Sequence, residues 1–278
     1  MHKTIQNTPV PALGLGTYEL KGDECRHSVI TAIETGYRHI DTARAYENEN
    51  EVGAGIVDSG VPRNEIFLTS KIWFDDLGYD PLMREIDASL RSLRTDFLDL
   101  ALVHWPNNEV PLKETFRALT RLQEEKVIRH FGVSNFTPKW LERALELGKI
   151  FCNQLEYHPL LSQSKLHQMA IEHDLLLTAY APLAQGAIHN NEVLQGIAGR
   201  HDATSEQISL AWLLEQPNVA AIPRSSSADH IRSNFESLKI SLDDEDRRKI
   251  DELPGDKRQI DPDFAPEWEE TASNTTKS

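Results

Sequence analysis

Phe97-Leu98-Asp99-Leu100-Ala101-Leu102-Val103-His104 is an apolar run broken once, by Asp99, and ended by an imidazole. A strand with so little alternation is buried on both faces, which places it in a parallel sheet with helices on either side. The flanking sequence agrees. Before it, Leu82, Ile86, Leu90 and Leu93 mark one helical face, with Pro81 at the favoured first position. After it, Leu112, Phe116 and Leu119 begin another helix.

The alternation extends in both directions. Leu13 to Tyr18, His39-Ile40-Asp41, Ile66 to Lys71, Val127 to Val133, Phe151 to Leu155, Leu175 to Tyr180 and Val219 to Ile222 are the other strand-like runs. Helical segments separate them, with Gly36, Gly60 and Gly148 as stops and Thr137-Pro138 as a start. Eight βα units in about 250 residues is the pattern of a (β/α)8 barrel, an α/β fold. A single domain over residues 1–278 is expected, since no interdomain linker is visible. An N-terminal hairpin around Asn7-Thr8-Pro9 should precede it, and an extra helix and loop should follow. The polar residues after about Glu270 read as a frayed tail, and Asn274-Thr275-Thr276 there matches a glycosylation acceptor only formally. The rival, a doubly wound open sheet, lacks its dinucleotide fingerprint: after Gly14 and Gly16, position 19 is Glu19.

Charge excludes some partners. The formal net charge is −15, with 44 acidic against 29 basic residues, so neither nucleic acid nor an anionic membrane surface is expected as a partner. An acidic surface of this kind suits ordinary cytoplasmic solubility or a salt-adapted source. Cys25 and Cys152 lie far apart without metal spacing, as free buried thiols would in a reducing compartment. No secretion signal or membrane span is visible, which points to the cytoplasm. A monomer is expected.

The chemistry gathers at strand ends, where such barrels place their sites. Asp41 ends the second strand, Tyr46 lies in the loop after it, Lys71 ends the third and His104 the fourth. Each has a bland alternative: a turn-forming carboxylate, a packed aromatic, a solvated lysine or a satisfied histidine. Together they make a mechanism. Lysine near a phenol favours its ionised form and lowers its pKa, aspartate fixes the lysine, and neutral histidine can orient a carbonyl oxygen. The phenol is then a proton donor to an oxygen receiving hydride.

The chain resembles the aldo-keto reductases over roughly residues 4 to 266, and among them the prokaryotic members similar to 2,5-diketo-gluconate reductase. The resemblance rests on Gly36-Tyr37-Arg38-His39-Ile40-Asp41-Thr42-Ala43 with Tyr46, Leu68-Thr69-Ser70-Lys71, and Val103-His104-Trp105-Pro106. It continues through Gly132-Val133-Ser134-Asn135-Phe136, Asn153-Gln154-Leu155-Glu156-Tyr157-His158-Pro159 and Ile222-Pro223-Arg224-Ser225. It implies NAD(P)H-dependent reduction of an aldehyde or ketone, with Tyr46 as acid, Lys71 and Asp41 tuning it, and His104 orienting the carbonyl.

By the same resemblance, Ser134, Asn135 and Gln154 hold the nicotinamide amide, and Tyr180 stacks on its ring. Gly16, Thr17 and Tyr18 line the cofactor and substrate space, and Asp41 borders it. Pro182 and Leu183 follow Ala181, where the family has serine. Arg224, Ser225 and Ser226 at a helix start suit the adenosine 2′-phosphate. Arg224 replaces the family's lysine, and His230 replaces an arginine, so NADPH is expected to be preferred with NADH possible. Asn234 matches the adenine-contacting asparagine. Tyr18, Trp73, His104 and Trp105 are the expected substrate contacts, with Phe74 and the segment Ile260 to Trp268 as further aromatic candidates. Two other readings fit less well. A non-catalytic nicotinamide-binding regulator would carry extra docking segments. A metal-dependent hydrolase needs more ligands than His104 and Asp41, and Lys71 would repel the metal. No metal is expected.

Overall fold

The computed structural model describes residues 1–268; the expected polar tail and Asn274-Thr275-Thr276 lie outside the described residues. A hairpin comes first, β1 (His2–Ile5) antiparallel to β2 (Thr8–Pro11). Gln6 and Asn7 at its turn both have positive φ, 49° and 64°, the handedness that matches strand twist in a two-residue hairpin.

Eight parallel strands follow: β3 (Leu15–Gly16), β4 (His39–Asp41), β5 (Phe67–Ile72), β6 (Leu98–Val103), β7 (Ile128–Ser134), β8 (Cys152–Glu156), β9 (Leu176–Tyr180) and β10 (Val219–Ala221). Each pairs with the next in sequence. The curled sheet closes through parallel bridges from Leu13 to Ala221 and from Gly16 to Arg224. The N–H groups of Gly14 and Gly16 donate to the carbonyls of Ala221 and Pro223 at 2.9 and 3.0 Å. A Cβ on Gly16 would stand 2.7 Å from the Ile222 carbonyl oxygen, so the seam needs glycine there. The expected strand from Leu13 to Tyr18 shortens to two residues because its ends serve this seam and the loop beyond.

Helices α1 (Gly22–Thr35), α2 (Glu49–Asp58), α3 (Tyr79–Leu93), α4 (Leu112–Glu124), α5 (Pro138–Leu147) and α6 (Ser164–Glu172) cover the outside. In α3, Leu82, Ile86 and Leu93 are buried, as their spacing requires. It starts two residues before Pro81, which takes the third position, still within the turn whose N–H groups have no helical partner. After β9 come α7 (Glu192–Arg200) and α8 (Ser205–Glu215); after β10 come α9 (Ala228–Glu236) and α10 (Asp244–Asp251). The eightfold alternation does not foresee α7, whose Leu194, Ile197 and Ala198 join a second apolar cluster with Ile208 and Ile250.

Strand β6 is buried at all six positions. Its outward residues meet the helices. Its inward Leu100 and Leu102 pack with Phe67, Phe151 and Leu176 inside the barrel, where Ile5 and Val10 of the hairpin complete the cluster. The hairpin thus seals the N-terminal end of the barrel, and the site lies at the opposite end. Cys25 and Cys152 are free and buried, and burial pushes both thiols up to about 12. Among the described residues no helix is long and apolar enough to cross a membrane.

Candidate active site

The parallel register brings the expected residues together. Asp41 closes β4, Lys71 is the penultimate residue of β5, and His104 follows the last residue of β6. Tyr46 ends a single 3-10 turn, Arg44–Tyr46, that leaves β4. Lys71 Nζ donates to Asp41 Oδ1 at 2.5 Å, to the Thr42 carbonyl at 2.8 Å and to the Tyr46 hydroxyl at 3.3 Å. The side chains of Lys71 and Asp41 are 1% and 2% exposed. The second Asp41 oxygen accepts from Gln154 Nε2 at 2.7 Å. A buried charge pair needs such extra bonds to satisfy its remaining lone pairs.

The electrostatics follow from this packing. Burial works against the Lys71 ammonium, but Asp41 and the Tyr46 oxygen outweigh it, and its pKa lies above the ordinary value. Burial first, then the charge of Lys71, holds His104 well below the usual imidazole value, so its ring is neutral. The Tyr46 phenol differs from expectation. Lys71 pulls its pKa down, but burial, aided by Asp41, pushes it above the ordinary value. Burial of the phenol is the largest of these effects, and the Lys71 charge does not overcome it.

Rings line the mouth. The half-buried Tyr46 ring meets Tyr18 and His104 edge-on, at centroid distances of 5.1 and 5.6 Å. Trp73 meets His104 at 5.2 Å. Phe264, from the C-terminal segment, touches Trp73, Phe74 and Trp105 at 5.4, 5.0 and 5.3 Å. Trp268 meets Trp105 at 6.2 Å, and its indole N–H donates to Asp261.

Ser134, Asn135 and Gln154 are buried beside the four central residues. Asn135, at φ 63°, gives its amide N–H groups to the His104 carbonyl and to Ser134 Oγ, and accepts from the Tyr180 hydroxyl at 2.7 Å. The amides expected to meet a ligand are therefore already engaged, with acceptor lone pairs left over. Pro182 gives its carbonyl to Ser209, and Leu183 is half-buried between two apolar clusters.

Gly16 pairs with Asp41 on one side and bridges to Arg224 on the other, so Arg224 flanks the same strand end. Thr17 Oγ1 donates to the Asp41 carbonyl at 3.0 Å. Ser225 Oγ accepts from the Ser227 N–H, and Ser227 caps α9. Ser226 and His230 are exposed, whereas Asn234 is buried.

Sequence reasoning missed several contributors. Asn48 is wholly buried and ties the β3–α1 loop to the β4–α2 connection, donating to the carbonyls of Thr17 and Leu20 and accepting from Thr42 Oγ1. Glu19, beside Tyr18, pairs with Arg224 at 2.5 Å. The buried Glu156 receives the C-terminal segment. Glu156 stands inside a quoted motif but without a role, and Asn48 and Glu19 lie in polar stretches beside the motifs.

Residues 12–254 match the model of the Aldo/keto reductase family. The chain belongs to that family. It is 41% identical over 266 residues to methylglyoxal reductase DkgB of Escherichia coli O157:H7, covering 94% of this chain and 99% of that one. It is 42% identical over 259 residues to glyoxal reductase of Bacillus subtilis (strain 168), covering 92% and 93%. The solved structure of a putative 2,5-diketo-D-gluconic acid reductase B superposes with a TM-score of 0.93 at 37% identity, covering 97% and 98%. The chain is thus a carbonyl oxidoreductase of a family that uses NAD(P)H.

Proposed function

We propose that this reductase protonates its carbonyl substrate from Tyr46, with Lys71 and Asp41 holding that phenol and neutral His104 orienting the carbonyl oxygen. One observation carries the reading: Lys71 Nζ, paired to Asp41, stands 3.3 Å from the Tyr46 hydroxyl in a buried cluster beside the His104 ring. Bound NAD(P)H supplies the hydride. A phenol with a raised pKa keeps its proton across the neutral range, ready for the far more basic oxygen that forms on the substrate. Lys71 then stabilises the phenolate left behind.

The polar groups suit such a cofactor. Ser134 Oγ accepts from Asn135 and keeps its own proton for an amide carbonyl, and the free lone pairs of Asn135 and Gln154 suit an amide N–H. Tyr180 offers a ring face beside them. At the other end Arg224, Ser225, Ser226 and His230 gather near the α9 N-terminus, which favours an anion and hence NADPH. Gly16, Thr17, Pro182, Leu183 and Asn234 border this path. Tyr18, Trp73, His104 and Trp105 form the substrate wall. The named relatives suggest small dicarbonyls such as methylglyoxal as first substrates to assay.

Tyr46→Phe keeps the ring and removes the proton. It should lower kcat by about 10² to 10⁴ while cofactor affinity, read by tryptophan fluorescence, stays near normal. Near-normal turnover would defeat the assignment.

A further inference from the structure

The C-terminal segment crosses the mouth as a strap, and its attachment is unusual for a loop. Gly255 accepts from Ser162 N–H and Lys257 N–H donates to the Leu160 carbonyl, at 2.9 and 2.8 Å. Gly255 must be glycine for this approach, since a Cβ would stand 2.7 Å from Ser162 Cβ. Beyond Lys257, no further backbone–backbone hydrogen bond joins the strap to the barrel among the described residues. Besides ring packing, what holds it among the described residues is one carboxylate. Glu156, at the end of β8 and wholly buried, accepts from the Gln259 N–H at 2.7 Å on Oε1 and the Ile260 N–H at 2.9 Å on Oε2. His158 Nε2 lies 2.9 Å from Oε1, and Arg258 reaches Oε2 only loosely, at 3.8 Å.

Side chains two apart on a strand share a face. Gln154 and Glu156 are such a pair on β8: the first bonds Asp41, the second grips the strap. Four residues past Ile260 comes Phe264, whose ring packs on Trp73 and Trp105, and Trp73 in turn touches His104. We propose that Glu156 is a positioning residue that clasps the strap and fixes Phe264 as a wall of the substrate mouth, so favouring carbonyl compounds with an aromatic ring that packs on it. Which compounds are selected rests on the reading of Tyr46 and His104 as the reacting centre; the clasp itself does not.

Bonds from two N–H groups to a buried carboxylate are charge-assisted and strong, so the strap should behave as part of the barrel. The test is hydrogen exchange on the full chain. In the unmodified protein the Gln259 and Ile260 amides should exchange at least about tenfold more slowly than free amides. Glu156→Gln, which puts an NH2 group where an acceptor oxygen stood, should lift that protection and leave the β6 amides unchanged. In turnover, kcat/KM for an aromatic aldehyde should fall several-fold relative to methylglyoxal, through KM, and Phe264→Ala should reproduce that ratio without exposing the two amides. Unprotected amides in the unmodified protein overturn the clasp, and so does protection that survives in Glu156→Gln. Equal losses on both aldehydes overturn the selective role. The unmodified-protein measurement stands even if the variant does not fold, and exchange decides the clasp even if Tyr46 proves not to be the acid.

Discussion

Replacing Lys71 with methionine tests whether the central pair is one coupled unit. Methionine fills similar volume but removes the ammonium from between Asp41 and Tyr46. Because both partners of the pair are almost wholly buried, Asp41 would keep only Gln154 as a polar partner, together with its backbone neighbours. Breaking a buried pair on one side costs about 3 to 5 kcal/mol. For a chain of this size each kcal/mol moves the melting temperature by about 2 to 4 °C, so a drop of roughly 6 to 20 °C is expected. Turnover should fall with it, since the phenolate formed at Tyr46 loses the charge 3.3 Å away. The double variant Lys71→Met/Asp41→Asn separates the two effects. With no orphaned charge it should recover most of the stability and none of the activity. Calorimetry on the three proteins, with turnover measured below the lowest melting temperature, gives both readings. An unchanged melting temperature in Lys71→Met, or a double variant no more stable than the single, would refute the coupling.

Two further outcomes follow from other titratable and charged groups. His39 and His104 are both held below the ordinary imidazole value by burial. The unfolded chain takes up those protons near pH 6.5 and the folded chain only at lower pH, so stability should fall below that pH by up to about 1.4 kcal/mol per unit and group; a urea midpoint flat from pH 7.5 to 5 would contradict this. Glu19 competes for Arg224 through an exposed pair worth about 0.2 to 1 kcal/mol. Glu19→Ala should therefore lower KM for NADPH by about 1.4- to fivefold and leave NADH unmoved, while Arg224→Ala should erase the preference; equal effects on both cofactors would show that Arg224 does not meet the 2′-phosphate.

The alternation of strands was legible because strands such as β6 are buried on both faces and so are written as unbroken apolar runs. Asp41, Lys71 and His104 were legible because each stands at or beside the end of a strand, where the barrel leaves no choice of side, and Tyr46 because it lies in the short loop that leaves Asp41. What failed to show had tertiary causes. The sign of the shift at Tyr46 is set first by the burial of the phenol itself, which no spacing reveals. Glu156 and Glu19 find partners 103 or more residues away in the chain, and their roles exist only after the barrel closes. Helix α7 carries Gly196 and Gly199, which dilute its periodicity, and Pro81 pointed to a start two residues late because proline is tolerated throughout the first turn.

The seam at Gly14 and Gly16 also has a meaning for synthesis. Those N–H groups wait for carbonyls at Ala221 and Pro223, roughly 200 residues further along, so one edge of the first strand is made early and paired last. Lys3 waits as well, since its acceptors are the carbonyls of Leu214 and Gln216. Until the last strand leaves the ribosome, the nascent chain carries an open sheet edge at each end, and such edges recruit other chains. The two-residue length of β3 limits that hazard: it offers a passing strand almost nothing to pair with.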